Sequence, residues 1–173
     1  GSLTRAEEAG FSVKGLGDST KAIEHVFEAI KKAGYTPGKD VKLALDVAAT
    51  SFYIDGKYAF GGFELTSDDL IRYYTLLAQD YQGILLSIED GLAENDWEGW
   101  QKLTKAMKEI GIRTIGDDIF VTQLPRLSKG IEMKAATDIL IKVNQNGTVL
   151  GTLEVIKRAK AAGMGWVVSH RSG

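Results

Sequence analysis

Gly83-Ile84-Leu85-Leu86-Ser87-Ile88-Glu89 and Ile112-Arg113-Thr114-Ile115-Gly116-Asp117 are two short apolar runs, each ending in an acid. A short apolar run bounded by turn residues reads as a buried strand. Between the two, residues from about Asp96 to Ile110 read as a helix that stops at Gly111. A strand, a crossover helix and a second strand make a unit of parallel sheet. A charge at the end of a buried strand is costly unless it finds a partner. Working outward, Asp46 closes Val41-Lys42-Leu43-Ala44-Leu45 in the same way. Ile139-Leu140-Ile141 ends in Lys142, and the run from Met164 to Ser169 ends in His170-Arg171. Five strands ending in Asp, Glu, Asp, Lys and His-Arg read as one site. Three carboxylates suit a hard divalent cation, and a neighbouring lysine suits proton abstraction.

The remaining segments continue the alternation. A helix is predicted over 18–33, with Ile23, Val26, Phe27 and Ile30 as its apolar stripe and Gly34 as its stop. Asp55-Gly56, between Phe52-Tyr53-Ile54 and Lys57-Tyr58-Ala59-Phe60, is a hairpin signal. Ser67 is the expected cap of a helix to about Asp80, with Leu70, Tyr73, Tyr74 and Leu77 inward. A further helix follows over about 124–130. Asn146-Gly147-Thr148 reads as a turn and a cap for a last helix, ending at Ala162-Gly163.

Repeated β/α units predict an α/β fold with a parallel sheet. In a β/α barrel the strand C-termini form the active face, so the five charged ends would share one rim. A doubly wound open sheet is the alternative; it calls for a glycine-rich phosphate turn after its first strand. Asp46-Val47-Ala48-Ala49-Thr50 has no such turn. Five strands are fewer than the eight of a closed barrel of about 250 residues, which predicts a partial barrel.

Bulk properties narrow the function. The chain has 173 residues, 44% hydrophobic and 25% charged, as in ordinary globular domains. A net charge of -2 argues against a nucleic-acid partner held by bulk electrostatics. No run approaches a membrane span, and the absence of cysteine fits a cytoplasmic protein. Gly1-Ser2 is set aside as extraneous to the fold.

At this point the sequence resembles the enolase family. The resemblance runs from about Gly10 to Gly173 and rests on several motifs taken together in order. They are Leu43-Ala44-Leu45-Asp46-Val47-Ala48-Ala49, Phe52-Tyr53 with Asp55-Gly56-Lys57-Tyr58, Ser87-Ile88-Glu89-Asp90, Asp96-Trp97, Gly116-Asp117-Asp118 with Val121-Thr122, Lys142-Val143-Asn144-Gln145, and Ser169-His170-Arg171-Ser172-Gly173. The resemblance implies the central part of an enolase-type TIM barrel, without the family's N-terminal domain or last barrel strands. It implies Asp46, Glu89 and Asp117 as ligands of Mg2+, and Lys142 as the general base. It implies His170, Arg171 and Ser172 as the substrate grip, with Arg171 and Ser172 on the phosphate. Asp118 takes the place of an acid beside the metal ligand. The implied reaction is the reversible dehydration of 2-phosphoglycerate to phosphoenolpyruvate in glycolysis. Glu8 stands where the family has its general acid, but in Ala6-Glu7-Glu8-Ala9-Gly10-Phe11 rather than Gly-Asp-Glu-Gly-Gly-Phe.

Each residue also has a plainer reading. Asp46 or Asp117 could be a helix cap or a surface ion pair, and Glu89-Asp90 a solvated acidic turn. Lys142 could be a snorkelling edge residue. At the level of the chain, an enolase-type lyase stands beside an inactive enolase-derived fragment or engineered scaffold that keeps metal or phosphate binding. An interaction protein on the same fold is a third possibility. Open sheet edges predict a homo-oligomer or other self-association.

Overall fold

The computed structural model describes residues 3–5, 11–13 and 19–169, with side chains described from Thr20 to Ser169. Five parallel strands form the central sheet: β3 (Leu43–Asp46), β7 (Leu85–Glu89), β8 (Arg113–Gly116), β9 (Asp138–Ile141) and β10 (Gly165–Val168). Two small antiparallel sheets account for the other numbers. One pairs β1 (Leu3–Arg5) with β2 (Phe11–Val13), and the other joins β4 (Tyr53–Ile54), β5 (Lys57–Phe60) and β6 (Phe63–Leu65). The helices are α1 (Ser19–Lys32), α2 (Ser67–Asp80), α3 (Trp97–Glu109), α4 (Leu124–Met133), α5 (Val143–Asn146) and α6 (Val149–Ala161).

Strand order in the parallel sheet is β3-β7-β8-β9-β10, the order of the chain. A doubly wound sheet reverses direction at a switch point; this one never does. Successive crossover helices also touch one another, α2 on α3, α3 on α4 and α4 on α6, so they form one layer. That is β/α-barrel winding, and the doubly wound alternative falls away. Among the described residues the ring is open, with β3 and β10 at its edges.

The core lies between this sheet and its helix layer. Leu70, Leu103, Met107, Leu127 and Val155 are buried from the helices, and Ile88, Ile139 and Ile141 from the strands. Trp100, Tyr58 and Tyr74 are its largest buried side chains, and each spends its polar atom on the loop after β7. Trp100 Nε1 donates to the Ala93 carbonyl, Tyr74 Oη donates to the Gly91 carbonyl, and Tyr58 Oη accepts the Ala93 amide. Tyr58 also donates to Asp96, which caps α3 through the Gly99 amide and accepts from Ser67. These bonds lash the small β4-β5-β6 sheet to the parallel one.

Local signals explain most boundaries. Asp55 and Gly56 both adopt positive φ between β4 and β5, as a primed hairpin turn needs. The cap of α2 is Thr66 rather than Ser67. Its side chain accepts the Asp69 amide while Asp69 accepts the Thr66 amide, a capping box that outcompetes a lone serine. In the α1 stripe Ile23 and Ile30 are buried, but Val26 is 45% exposed. Strand β6 and the single-turn α5 are too short to leave a periodic signal.

Phe120 is fully buried beneath α4 and sits against two glycines. A Cβ on Gly130 would fall inside contact distance of the Phe120 ring, and a Cβ on Gly116 would meet both that ring and Ile119. Gly130→Ala therefore sets two effects against each other. Helix propensity would gain about 1 kcal/mol, and overpacking would cost about 1–3 kcal/mol. We expect a net loss and a thermal midpoint lower by a few degrees. An unchanged or raised midpoint in a thermal melt would show that Phe120 has room to yield.

Candidate functional site

Register decides which side chains share a face. Asp46 pairs with Glu89, Glu89 with Ile115, and Ile115 with Asp138. Strand side chains alternate, so Asp117, two residues past Ile115, lies on the same face as Glu89. Lys142, four past Asp138, joins them. The opposite face carries Ile88 and Thr114, and Thr114 bonds Thr104 of α3. Asp46, Glu89, Asp117 and Lys142 therefore occupy the face away from the helices, at the C-terminal ends of four adjacent strands. Lower on that face, Asp138 is buried and receives a two-pronged ion pair from Arg113. A Cβ on Gly165 would strike Asp138, which is why the neighbouring strand needs glycine there.

The charges on this rim feel one another. Burial raises the Glu89 carboxyl to about 7, and the nearby charges of Asp46 and Asp117 add to that rise. Asp118 is raised by burial and then by Asp117 and Glu94. Lys142 is the counter-ion, with its Nζ 2.5 Å from Asp117 Oδ2. Burial works against its charge, but the bond to Asp117 and the charges of Asp117, Glu89 and Asp118 outweigh burial and raise its pKa. Without a bound cation Lys142 is thus an ammonium ion. It is also half-buried beside an interior strand, which removes the reading of it as a snorkelling edge residue.

Asp90 is not part of a solvated acidic turn; it is 3% exposed with φ 43°. Its Oδ1 accepts the Asp117 amide and its Oδ2 the Asp118 amide, both at 2.9 Å. Burial raises it to about 8, with those amides pulling the other way. Among the described residues, the acids whose carboxylate oxygens all lie within 4.8 Å of one another are Asp90, Asp117 and Asp118; of the expected ligands Asp46, Glu89 and Asp117, only Asp117 belongs to that close-set group. Both Asp90 oxygens are engaged with backbone, so this residue holds Asp117 in place while Asp117 faces the rim. An all-oxygen donor set with mutually repelling carboxylates fits a hard divalent cation better than zinc or copper, which favour nitrogen or sulfur.

Two more residues at this rim were not assigned a role from sequence. Thr122 is fully buried and, like Val121, has a left-handed φ: 49° and 44° respectively. Such angles in β-branched residues cost about 1–3 kcal/mol each and cluster at functional sites. Gln145, in the first turn after Lys142, places Nε2 3.3 Å from Asp117 Oδ1. Both stand in motifs that carry the family resemblance, Val121-Thr122 and Lys142-Val143-Asn144-Gln145, but side-chain polarity alone does not separate them from ordinary loop residues.

The remaining residues sort cleanly. Trp97 faces the cationic groups of Arg126 and Lys129 at 5.1 and 4.3 Å from its ring centre, and Trp100 is core. His25 is an exposed helix residue bonded to the Lys21 carbonyl. Gly147 is left-handed at φ 93° and Thr148 caps α6, as the turn signal predicts. Glu8, His170, Arg171 and Ser172 lie outside the described residues. Among the described residues, no helix is long and apolar enough to cross a membrane.

A family model described as Enolase, C-terminal TIM barrel domain matches residues 4–173. That span takes in every strand of the parallel sheet and the whole charged rim, and the chain therefore belongs to the enolase C-terminal TIM barrel domain family.

Proposed function

We propose that this chain is an enolase-type lyase domain acting in the Mg2+-dependent interconversion of 2-phosphoglycerate and phosphoenolpyruvate. The observation that carries the reading is the placement of Asp46, Glu89, Asp117 and Lys142 on one face and one end of a family β/α sheet. Asp46, Glu89 and Asp117 would hold Mg2+. When bound, the ion supplies Lewis-acid stabilisation to the substrate carboxylate, beside which negative charge accumulates. Lys142 Nζ would take the proton from the carbon next to that carboxylate. It can do so only as the free amine, so its ion pair with Asp117 must loosen first. By family position, Glu8 would protonate the hydroxide that leaves the adjacent carbon, and His170, Arg171 and Ser172 would grip the substrate. A guanidinium such as that of Arg171 suits bidentate phosphate binding.

The Lys142–Asp117 ion pair also favours a second reading. A lysine held as an ammonium is no base, and the chain would then keep cation or phosphate binding without turnover. In the same spirit, exposed Trp166 and Val168 of the edge strand β10 support self-association. Light scattering is expected to give a mass above that of one chain; a monomer across the concentration range would remove this part of the proposal.

An assay for phosphoenolpyruvate formation with magnesium separates the two readings. We expect activity in the parent to fall by about 10²–10⁴-fold in Lys142→Ala, the usual worth of a positioned base. A parent without turnover, whose magnesium binding disappears in Asp46→Ala, would instead establish the second reading.

The metal-free protein should also carry a pH signature. Glu89 has a folded pKa of about 7 against an ordinary 4.5. Over that window the folded chain binds more protons than the unfolded chain, so stability falls as pH rises. Asp90, raised to about 8, acts in the same direction. Thermal melts in chelator should show a lower midpoint near pH 8 than near pH 5, and magnesium should restore more at the higher pH. A metal-free midpoint that climbs with pH across this window would contradict the electrostatic account.

A further inference from the structure

Asp117 is gripped on both oxygens, and the two grips converge on one hydroxyl. Lys142 Nζ holds Oδ2 at 2.5 Å, and Gln145 Nε2 holds Oδ1 at 3.3 Å. Thr122 Oγ1 accepts the Lys142 backbone N–H at 3.0 Å and donates to Gln145 Oε1 at 2.8 Å. Its other possible acceptor, the Leu140 carbonyl, is farther away at 3.4 Å. The Thr122 carbonyl accepts Asn146 Nδ2 at 2.9 Å, and Gln123 Nε2 reaches the Gln145 carbonyl at 3.2 Å.

We propose that Thr122 and Gln145 form a positioning clamp that fixes the Asp117 carboxylate and the Lys142 backbone relative to each other. The clamp has a direction. A backbone N–H can only donate, so Lys142 uses Thr122 as an acceptor. The single hydroxyl proton is then free for Gln145, whose Oε1 must accept it. That leaves Nε2 as the end of the amide turned to Asp117. A reversed amide would set an oxygen against a carboxylate and leave the hydroxyl proton without its nearer acceptor. The left-handed backbone at Val121-Thr122 belongs to the same device. Glycine or asparagine would tolerate that conformation with less strain, but neither offers a hydroxyl that accepts from one residue and donates to the other. Partners of this kind around a metal ligand orient it and tune its affinity.

The inference rests on Asp117 as a cation ligand, so its test keeps the two apart. Magnesium affinity is measured by titration calorimetry, with thermal melts in chelator as a check on folding. Asp117→Asn is expected to abolish binding. Gln145→Met, which keeps length and removes both polar atoms, is expected to weaken binding by about 10–100-fold while the metal-free midpoint stays near the parent's. Thr122→Val should show a similar loss, and Thr122→Ser should recover most of it, because serine restores the hydroxyl. Should the valine variant not fold, Gln145→Met decides alone, since Gln145 is only half-buried. Parental affinity in Gln145→Met, with binding lost in Asp117→Asn, overturns the clamp and leaves the ligand assignment standing. A parent that does not bind magnesium, or an Asp117→Asn variant that binds it normally, overturns both.

Discussion

Parallel pairing in unbroken chain order is the constraint from which the rest of this structure follows. With strand side chains alternating, the register Asp46↔Glu89, Glu89↔Ile115 and Ile115↔Asp138 leaves no freedom about which residues face together. Slipping any strand by one residue would send its charged end into the helix layer, against Leu103 or Leu127, where an ion has no partner. Burial on one face therefore fixes the site on the other. The Thr114–Thr104 contact and the Arg113–Asp138 pair pin β8 from both sides.

The same constraint creates an electrostatic problem. Strand spacing of about 4.8 Å crowds acids that sit at adjacent strand ends. Burial first, and then the charges of Asp46 and Asp117, raise the Glu89 pKa, and Lys142 relieves part of the crowding by pairing with Asp117. Among the described residues, the charges of Asp117, Glu89 and Asp118 all bear on the Lys142 ammonium. The arrangement is poor as a stability device, because buried ion pairs seldom repay their desolvation. The cation proposed above would add positive charge at this rim.

Much of this was legible in the sequence. Apolar runs closed by Asp46, Glu89, Asp117 and Lys142 locate the strands and their shared rim through the joint pattern, since any one of these charges alone has a plainer explanation. Asp55-Gly56 located its hairpin because only special backbone angles close so short a turn. What escaped was whatever depends on partners distant in the chain. Asp90 looked like the second half of an acidic turn, yet its carboxylate points inward to amides 27 and 28 residues away. Thr122 and Gln145 meet across 23 residues, and their polarity marks them equally well as loop residues. The α2 cap is a local exception: Thr66 and Ser67 offer adjacent hydroxyls, and the reciprocal contact with Asp69, three residues on, decides for Thr66.

Backbone strain follows the same geography. Of the six non-glycine residues with positive φ among those described, Ala48, Asp90, Val121 and Thr122 lie in loops that leave β3, β7 and β8 at their C-terminal ends. Asp55 belongs to a hairpin turn, and only Lys134 ends a helix. Strain of this kind survives where surrounding contacts over-determine it. Here the contacts are visible. Ala49 N–H reaches the Asp90 carbonyl, Tyr74 and Trp100 hold the loop after Asp90, and Thr122 is bonded through both hydroxyl and carbonyl. The buried aromatic side chains beneath β7 thus do more than fill the core. They hold the loop between Glu89 and α3, which ties the packing of Trp100 and Tyr74 to the acidic rim several residues away.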